Sequence, residues 1–242
     1  MSFNITVPGG TSVRLPLKNK ICDQDVIITA TGGGGEDTGN RELYQRVEYI
    51  EATTGCKIAT DVIADNGTGM ELLASFPTLA DRVPMGSRLD SNQTRFYVPY
   101  PLSSSSIYYG YNAGSTISAS PKANTKYLSQ LNFLNTRCAL TTEVDTGTSK
   151  LVKSLTDELE QQTAPIGIFC YLRLSDGEIV SASSRDMIFF RARISQGSEI
   201  IRDYVPVYRR SDGEIGLYEM FTGQFLTNES TGTFTKGDDV DW

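Results

Sequence analysis

Met187-Ile188-Phe189-Phe190-Arg191-Ala192-Arg193-Ile194 is the stretch whose reading decides the fold. Aromatic and β-branched side chains dominate it, and charge enters only at Arg191 and Arg193, so it reads as a β-strand with one face buried. Moving outward, Arg95-Phe96-Tyr97-Val98 and Ser106-Ile107-Tyr108-Tyr109-Gly110-Tyr111 are aromatic strands, and Leu43-Tyr44-Gln45-Arg46-Val47-Glu48-Tyr49-Ile50 opens the main domain. Two pentapeptides, Ser175-Asp176-Gly177-Glu178-Ile179 and Ser211-Asp212-Gly213-Glu214-Ile215, set Asp-Gly between apolar runs. That dipeptide predicts a tight hairpin in which both central residues take positive φ. No similarity extends beyond the pentapeptides, so they are not an internal repeat. One stretch breaks the β pattern: Leu151, Leu155 and Leu159 fall on one face at helical spacing. It is either a short helix packed on the sheets or a pair of strands in disguise.

Composition narrows the function classes. The 242 residues suffice for one large all-β domain and a small appendage. Lys and Arg number 22 against 29 Asp and Glu, a net charge of −7, which leaves no basic footprint for nucleic acid or anionic lipid. No run approaches the roughly 20 apolar residues of a membrane-spanning helix. Met1-Ser2-Phe3-Asn4 lacks the charged and apolar regions of a signal peptide, so synthesis and folding in a cytoplasm are expected. Cys22, Cys56, Cys138 and Cys170 form no CxxC pair and read as reduced, mostly buried thiols. Histidine is absent, which removes the usual general base, the usual partner of a Ser or Cys nucleophile, and the commonest metal ligand.

The chain divides at Gly32-Gly33-Gly34-Gly35, the core of a flexible linker over 32–40. Residues 1–31 carry three short strands, the last with the apolar run Val26-Ile27-Ile28. Arg14, Lys18 and Lys20 against Asp23 and Asp25 leave this unit near neutrality. Thirty residues bury no self-sufficient core, so the unit is expected to pair with copies of itself or with another protein through Val26, Ile27 and Ile28. The main domain spans 41–238, and 239–242 reads as a solvated acidic tail.

At several places the chain resembles the LamG or concanavalin-A-like domains of bacteriophage and prophage structural proteins. Tyr44-Gln45-Arg46-Val47-Glu48-Tyr49-Ile50-Glu51-Ala52-Thr53 is similar to that family's opening strand, and Ile200-Ile201-Arg202-Asp203-Tyr204-Val205-Pro206-Val207-Tyr208-Arg209 to a strand near its end. Gly216-Leu217-Tyr218-Glu219, Gly223-Gln224-Phe225-Leu226-Thr227-Asn228 and Gly232-Thr233-Phe234-Thr235-Lys236-Gly237 resemble its closing segment. Lys20-Ile21-Cys22-Asp23-Gln24-Asp25-Val26-Ile27-Ile28-Thr29-Ala30 resembles a short segment recurrent in prophage proteins. The resemblance implies an all-β protein: a small N-terminal β attachment unit followed by an antiparallel jelly-roll sandwich whose first and last strands lie side by side. It further implies a non-enzymatic virion component of a tail, baseplate or head fibre. Such a component would self-associate, plausibly as a trimer, contact other virion proteins and bind host-surface carbohydrate. A carbohydrate-active hydrolase on the same fold and a ligand-free structural adaptor are the alternatives.

The candidate chemistry is thin. Sandwich glycosidases place two carboxylates on one strand in an E-x-D-x-x-E pattern, with the carboxyls about 5 Å apart for retaining cleavage. Glu143-Val144-Asp145 begins that pattern, but position six is Thr148 and Gly147 suggests a turn, so Glu143 is expected to be a solvated strand residue. Tyr97, Tyr100, Tyr109, Tyr111 and Asn112 are the candidates for stacking a sugar ring and binding its hydroxyls. The competing reading has alternate tyrosines filling the sandwich interior. No cofactor is expected; Asp61, Asp65 and Asn66, or Asp238, Asp239 and Asp241, are acidic enough for calcium but lack defined ligand spacing. Arg202 and Asp203, adjacent in one strand, point to opposite faces, so each should find its partner elsewhere.

Overall fold

The computed structural model describes residues 42–89, 94–182 and 184–242, so the N-terminal unit with Val26, Ile27 and Ile28, its linker and Cys22 lie outside the described residues. The described chain forms eighteen strands, β1 to β18 in chain order, and one 3-10 turn at Phe133–Asn135. They build an all-β sandwich.

The larger layer runs, edge to edge, β10 (Thr148–Ser154), β9 (Cys138–Glu143), β8 (Lys126–Leu131), β4 (Thr68–Ser75), β14 (Met187–Gln196), β15 (Glu199–Arg209), β16 (Ile215–Glu219), β17 (Phe225–Thr227). The facing layer runs β13 (Glu178–Ala182), β12 (Tyr171–Ser175), β5 (Met85–Arg88), β11 (Pro165–Ile168), β3 (Ile58–Ile63). The hairpin β6 (Arg95–Ser103) and β7 (Ser106–Ser118) packs beside β5. All pairings are antiparallel except β5 with β12. Between the layers, Met70, Leu72, Ala74, Phe189, Ile194 and Tyr204 meet Ile58, Met85, Phe96, Ile166 and Ile168. The Phe169 ring stacks on both Phe189 (5.5 Å) and Phe234 (5.0 Å).

The ends of the domain close as the resemblance implies. β2 (Ile50–Ala52) pairs antiparallel with β18 (Phe234–Lys236), and Val47 bridges Asp239. The last residues are mostly exposed, yet they are bonded to the domain. Gln45 Nε2 donates to Val240 O (2.9 Å), Val240 N–H donates to Arg46 O (3.0 Å), and Trp242 packs edge-on against Tyr218 (5.4 Å).

Within β14 the buried set shifts phase: Met187 and Phe189 point inward, then Ala192 and Ile194. A bulge against β4 between Phe189 and Arg191 absorbs the extra residue and turns Arg191 and Arg193 to the outer face together. The sheet forks at this point. The edge of β14 facing away from β4 pairs with β2 at Met187–Phe189 but with β15 from Ala192 onward. β15 in turn leaves β14 after Tyr204 and takes β1 (Tyr44–Arg46) at Val207–Arg209. Arg191 spans the fork to clasp Asp203 with Nε and Nη2, while Asp203 N–H donates to Glu219 Oε1 (2.8 Å). Arg202, on the other face, pairs with Asp61, as strand alternation requires.

The Asp176-Gly177 turn forms as expected, both residues at positive φ (51° and 82°), joining β12 to β13. The second Asp-Gly does not. Only Gly213 is left-handed (φ 75°), and a longer loop closes through Gly213 N–H to Arg209 O and Arg209 N–H to Glu214 O, each 2.8 Å. Asp212 instead accepts from the Arg209 guanidinium, which pulls it out of the tight-turn geometry.

The leucine stretch is not helical. Leu151 lies in β10, and Leu155 and Leu159 are buried along a strap over 155–164. The strap's amides bond across the chain, Leu155 N–H to Arg137 O (2.7 Å) and Gln162 N–H to Ala64 O (2.8 Å), so helical spacing arose with no i−4 ladder. Cys56, Cys138 and Cys170 are buried thiols outside any disulfide, and burial pushes the Cys170 thiol up to about 12.

Arg185 is fully buried at the start of the β14 segment. Its Nη1 donates to Ala80 O (2.7 Å) and Arg82 O (2.9 Å), and its Nη2 to Thr78 O (2.9 Å) and Pro101 O (3.0 Å). Replacing Arg185 by Met, similar in length, leaves four carbonyls without that donor. We expect a loss of at least about 3 kcal/mol in urea unfolding, since each stranded buried acceptor costs roughly 1–3 kcal/mol. Stability equal to the wild type would show that the loop at 76–84 is held by something else.

Candidate functional site

The tyrosines singled out from the sequence belong to the interior. Tyr97 is 3% exposed and Tyr100 1%, and Tyr109 and Tyr111 are also buried in the main cluster. Their ring faces are covered by protein, so as they stand they offer no open stacking platform. Tyr100 OH donates to Asp81 (2.9 Å), and burial raises the pKa of Tyr97 and Tyr100 well above the ordinary phenol value. Asn112 is committed to structure: its Nδ2 donates to Glu158 O (2.6 Å) and its Oδ1 accepts from Glu160 N–H (2.8 Å), tying β7 to the 155–164 strap.

The other candidates are also accounted for. Glu143 is buried and pairs with Lys150 Nζ at 2.9 Å, which corrects its reading as a solvated residue. Residues 144–147 form the turn from β9 to β10, where Asp145 is exposed. Asp61 pairs with Arg202; Asp65 Oδ1 accepts from Gly67 N–H (2.9 Å), Thr68 Oγ1 (3.1 Å) and Gln196 Nε2 (2.8 Å). Asn66 Oδ1 accepts from Leu159 N–H (3.1 Å), and Asp239 from Lys236 Nζ (2.8 Å). Among the described residues no group of three or more acidic or thiol side chains could hold a metal ion.

What the fold does assemble is a surface of tyrosine and arginine on the smaller layer. The parallel register of β5 with β12 sets Tyr171 beside Gly86 and Arg173 beside Arg88. Next to them, β6 and β7 contribute Arg95, Tyr97 and Tyr108. Gly86 is required here, because a Cβ would stand 2.3 Å from Phe96 O and 2.8 Å from Tyr97 Cδ1. The Tyr97 ring therefore lies close against β5, and half-buried Tyr171 packs on it at 5.0 Å. Arg88 Nη1 donates to Tyr171 OH over 3.5 Å and Arg95 Nη1 to Tyr108 OH over 2.8 Å. Tyr108, half-buried like Tyr171, pairs with the Tyr100 ring at 5.5 Å. Two of the sequence candidates, Tyr97 and Tyr100, are thus the buried partners of the two rings that reach solvent. Such a surface supplies aromatic planes, phenol hydroxyls and fixed N–H donors, the set that recognises sugar rings and their hydroxyls. Arg88, Arg95 and Tyr171 sit on three strands, and no local motif in the sequence joins them.

No family model matches the chain, and no curated protein matches it. Among solved structures it is similar to a protein of Bacteroides ovatus to which carbohydrate binding is ascribed, with 10% identity and a TM-score of 0.51. The likeness covers 81% of this chain and 62% of that one, so this chain spans less than two thirds of that protein's length. It shows the β-sandwich fold.

Burial separates the two kinds of tyrosine experimentally. Tyr97→Ala should cost about 3–5 kcal/mol in chemical denaturation, the range for a deleted core aromatic. Tyr171→Ala should cost clearly less, about 1–2 kcal/mol. The reverse order would return Tyr97 to the surface.

Proposed function

We propose that this chain is a non-catalytic carbohydrate-binding β-sandwich, and that the Tyr171–Arg88–Arg95–Tyr108 surface is where it binds. The observation that carries this reading is the pairing of half-exposed tyrosine rings with arginine donors across four adjacent strands. The sandwich fold shared with a protein to which carbohydrate binding is ascribed supports it. So does the state of Glu143, whose ion pair with Lys150 and whose Thr148 in place of a second carboxylate leave no opposed carboxylate pair on that strand. On a glycan array of bacterial surface polysaccharides the protein should bind, and Tyr171→Ala and Arg88→Ala should each weaken binding about tenfold. That is the weight of one stacking plane or one charge-assisted hydrogen bond. Release of reducing sugar would make the protein a hydrolase, and silence across the whole array would favour a ligand-free adaptor.

The setting we propose is a bacteriophage virion, on the resemblance of the opening and closing segments to phage structural proteins. Residues 1–31 would then supply assembly, through Val26, Ile27 and Ile28, with copies of the same chain or with other virion proteins. Removing residues 1–35 should give a monomeric, β-rich protein in light scattering, whereas the full chain should be oligomeric. The same oligomer from both would put the contact on the sandwich.

A further inference from the structure

The fork in the larger sheet leaves a second place where a ligand could sit, on the outer face and away from the tyrosine surface. Between the diverging strands opens a cavity of about 100 Å³ lined by Arg46, Arg191, Val205, Met220 and Trp242. Arg46 comes from β1, Arg191 from β14 and Val205 from β15, the three strands that meet and part there.

Charge at this place is unbalanced. Burial and the nearby Arg191 disfavour the Arg46 charge, which only Asp203 offsets, whereas the Arg191 charge is favoured by Asp203 and by Glu71 as well. Both Asp203 oxygens are engaged by Arg191. Arg46 gives one long hydrogen bond from Nη1 to Asp241 O (3.3 Å), and its buried Nε–H has no acceptor among the described residues. A buried donor without a partner ordinarily costs about 1–3 kcal/mol; Arg88 Nε and Arg185 Nε are in the same state, and what sets Arg46 apart is its place at the cavity. Burial and the neighbouring Arg191 both depress the Arg46 pKa, and the charge of an added anion would act against that depression. The chain as a whole carries −7, so this local excess of positive charge is not part of a general basic surface.

Size and surroundings select the anion. About 100 Å³ is less than the ~150 Å³ of an engineered cavity that takes a benzene ring, so the hollow has room for a carboxylate and not for a sugar ring. The remainder of any ligand must lie at the mouth. Trp242 there is 38% exposed, and Phe221, which follows Met220, is 45% exposed. A planar guanidinium pair matches a carboxylate, and an aromatic plane beside it matches the apolar face of a pyranose. We propose that the fork pocket binds the carboxylate of an acidic sugar residue, held by Arg46 and Arg191 with its ring against Trp242. This site is separate from the tyrosine–arginine surface, so each can fail without the other.

Trp242 is the chain's one tryptophan, and its fluorescence therefore reports the pocket directly. The full chain is titrated with sodium glucuronate, methyl glucoside and sodium acetate at equal ionic strength, by calorimetry and by tryptophan emission. Saturable binding of glucuronate with a change in Trp242 emission is expected, with no binding of methyl glucoside and weaker binding of acetate. Arg46→Gln should weaken glucuronate about tenfold or more, the loss of one charge-assisted contact. Met220→Glu, which puts a carboxylate at the pocket and leaves the arginines in place, should abolish it even if Arg46→Gln loosens the C-terminal segment. Tyr171→Ala should keep the full glucuronate response. No heat with glucuronate, equal binding of methyl glucoside or of acetate, or an unchanged response in Met220→Glu would each overturn the proposal.

Discussion

A buried positive charge answered by backbone carbonyls organises this sandwich. The Arg185 guanidinium is held by four backbone carbonyls and lies over the Phe76 ring at 4.3 Å and the Tyr100 ring at 5.4 Å. The segment supplying Thr78, Ala80 and Arg82 belongs to no strand, so its carbonyls cannot be satisfied by a ladder. One side chain does for them what a neighbouring strand would do. Its own N–H donates to Phe169 O (2.8 Å), and the following Asp186 accepts from Thr78 Oγ1 (3.0 Å). Burial lowers its pKa to about 10, which still leaves it charged near neutrality, stabilised by carbonyl dipoles and π faces. Because Pro101 is among the acceptors, the hairpin carrying Tyr97, Tyr100 and Tyr108 is positioned against β14 through this residue.

The fork has a comparable local cause. One extra residue at the β14 bulge shifts the strand's phase, and the two short strands β1 and β2 fill the gap that opens between β14 and β15. A continuous sheet would pair every backbone group there and leave no hollow. The split instead brings side chains from three strands to one point, and Arg191 with Asp203 spans it. Arg193, two residues further on, is paired off by Glu71 and lies over Phe133, so only the residue at the bulge faces the cavity.

What the sequence made legible was local. The Asp176-Gly177 turn, the aromatic strands around Tyr97 and Tyr108, the buried thiols and the side-by-side terminal strands all follow from patterns a few residues long or from segments resembling a known family. The misreadings share a cause, which is that partners distant in sequence decide the outcome. Leu151, Leu155 and Leu159 line up at helical spacing because a strand and a strap happen to bury them, and the strap's amides answer Arg137 and Ala64 instead of one another. Asp212 left its tight turn for Arg209, whereas Asp176, with no such cation, kept its own. Arg185, Tyr171 and Arg46 carry no local signature, since each matters through groups on other strands or far along the chain, 84 to 107 residues away for the Arg185 carbonyls.

The arginines sort by what answers them, and the sorting separates the two proposed sites on one acidic chain. Arg193, Arg202 and Arg209 face carboxylates of their own chain, so their charge is spent on structure. Arg88 instead faces a phenol, which accepts one hydrogen bond and cancels no charge, so the group keeps donors for a second, neutral acceptor such as a sugar hydroxyl. Arg46 shares Asp203 with Arg191, and Arg191 holds both Asp203 oxygens. A neutral hydroxyl could satisfy the idle N–H of Arg46 but would leave the excess charge, whereas a carboxylate answers both. The tyrosine surface is thus suited to the hydroxyls of a neutral sugar and the fork to an acidic one, the two sites differing in charge deficit more than in shape.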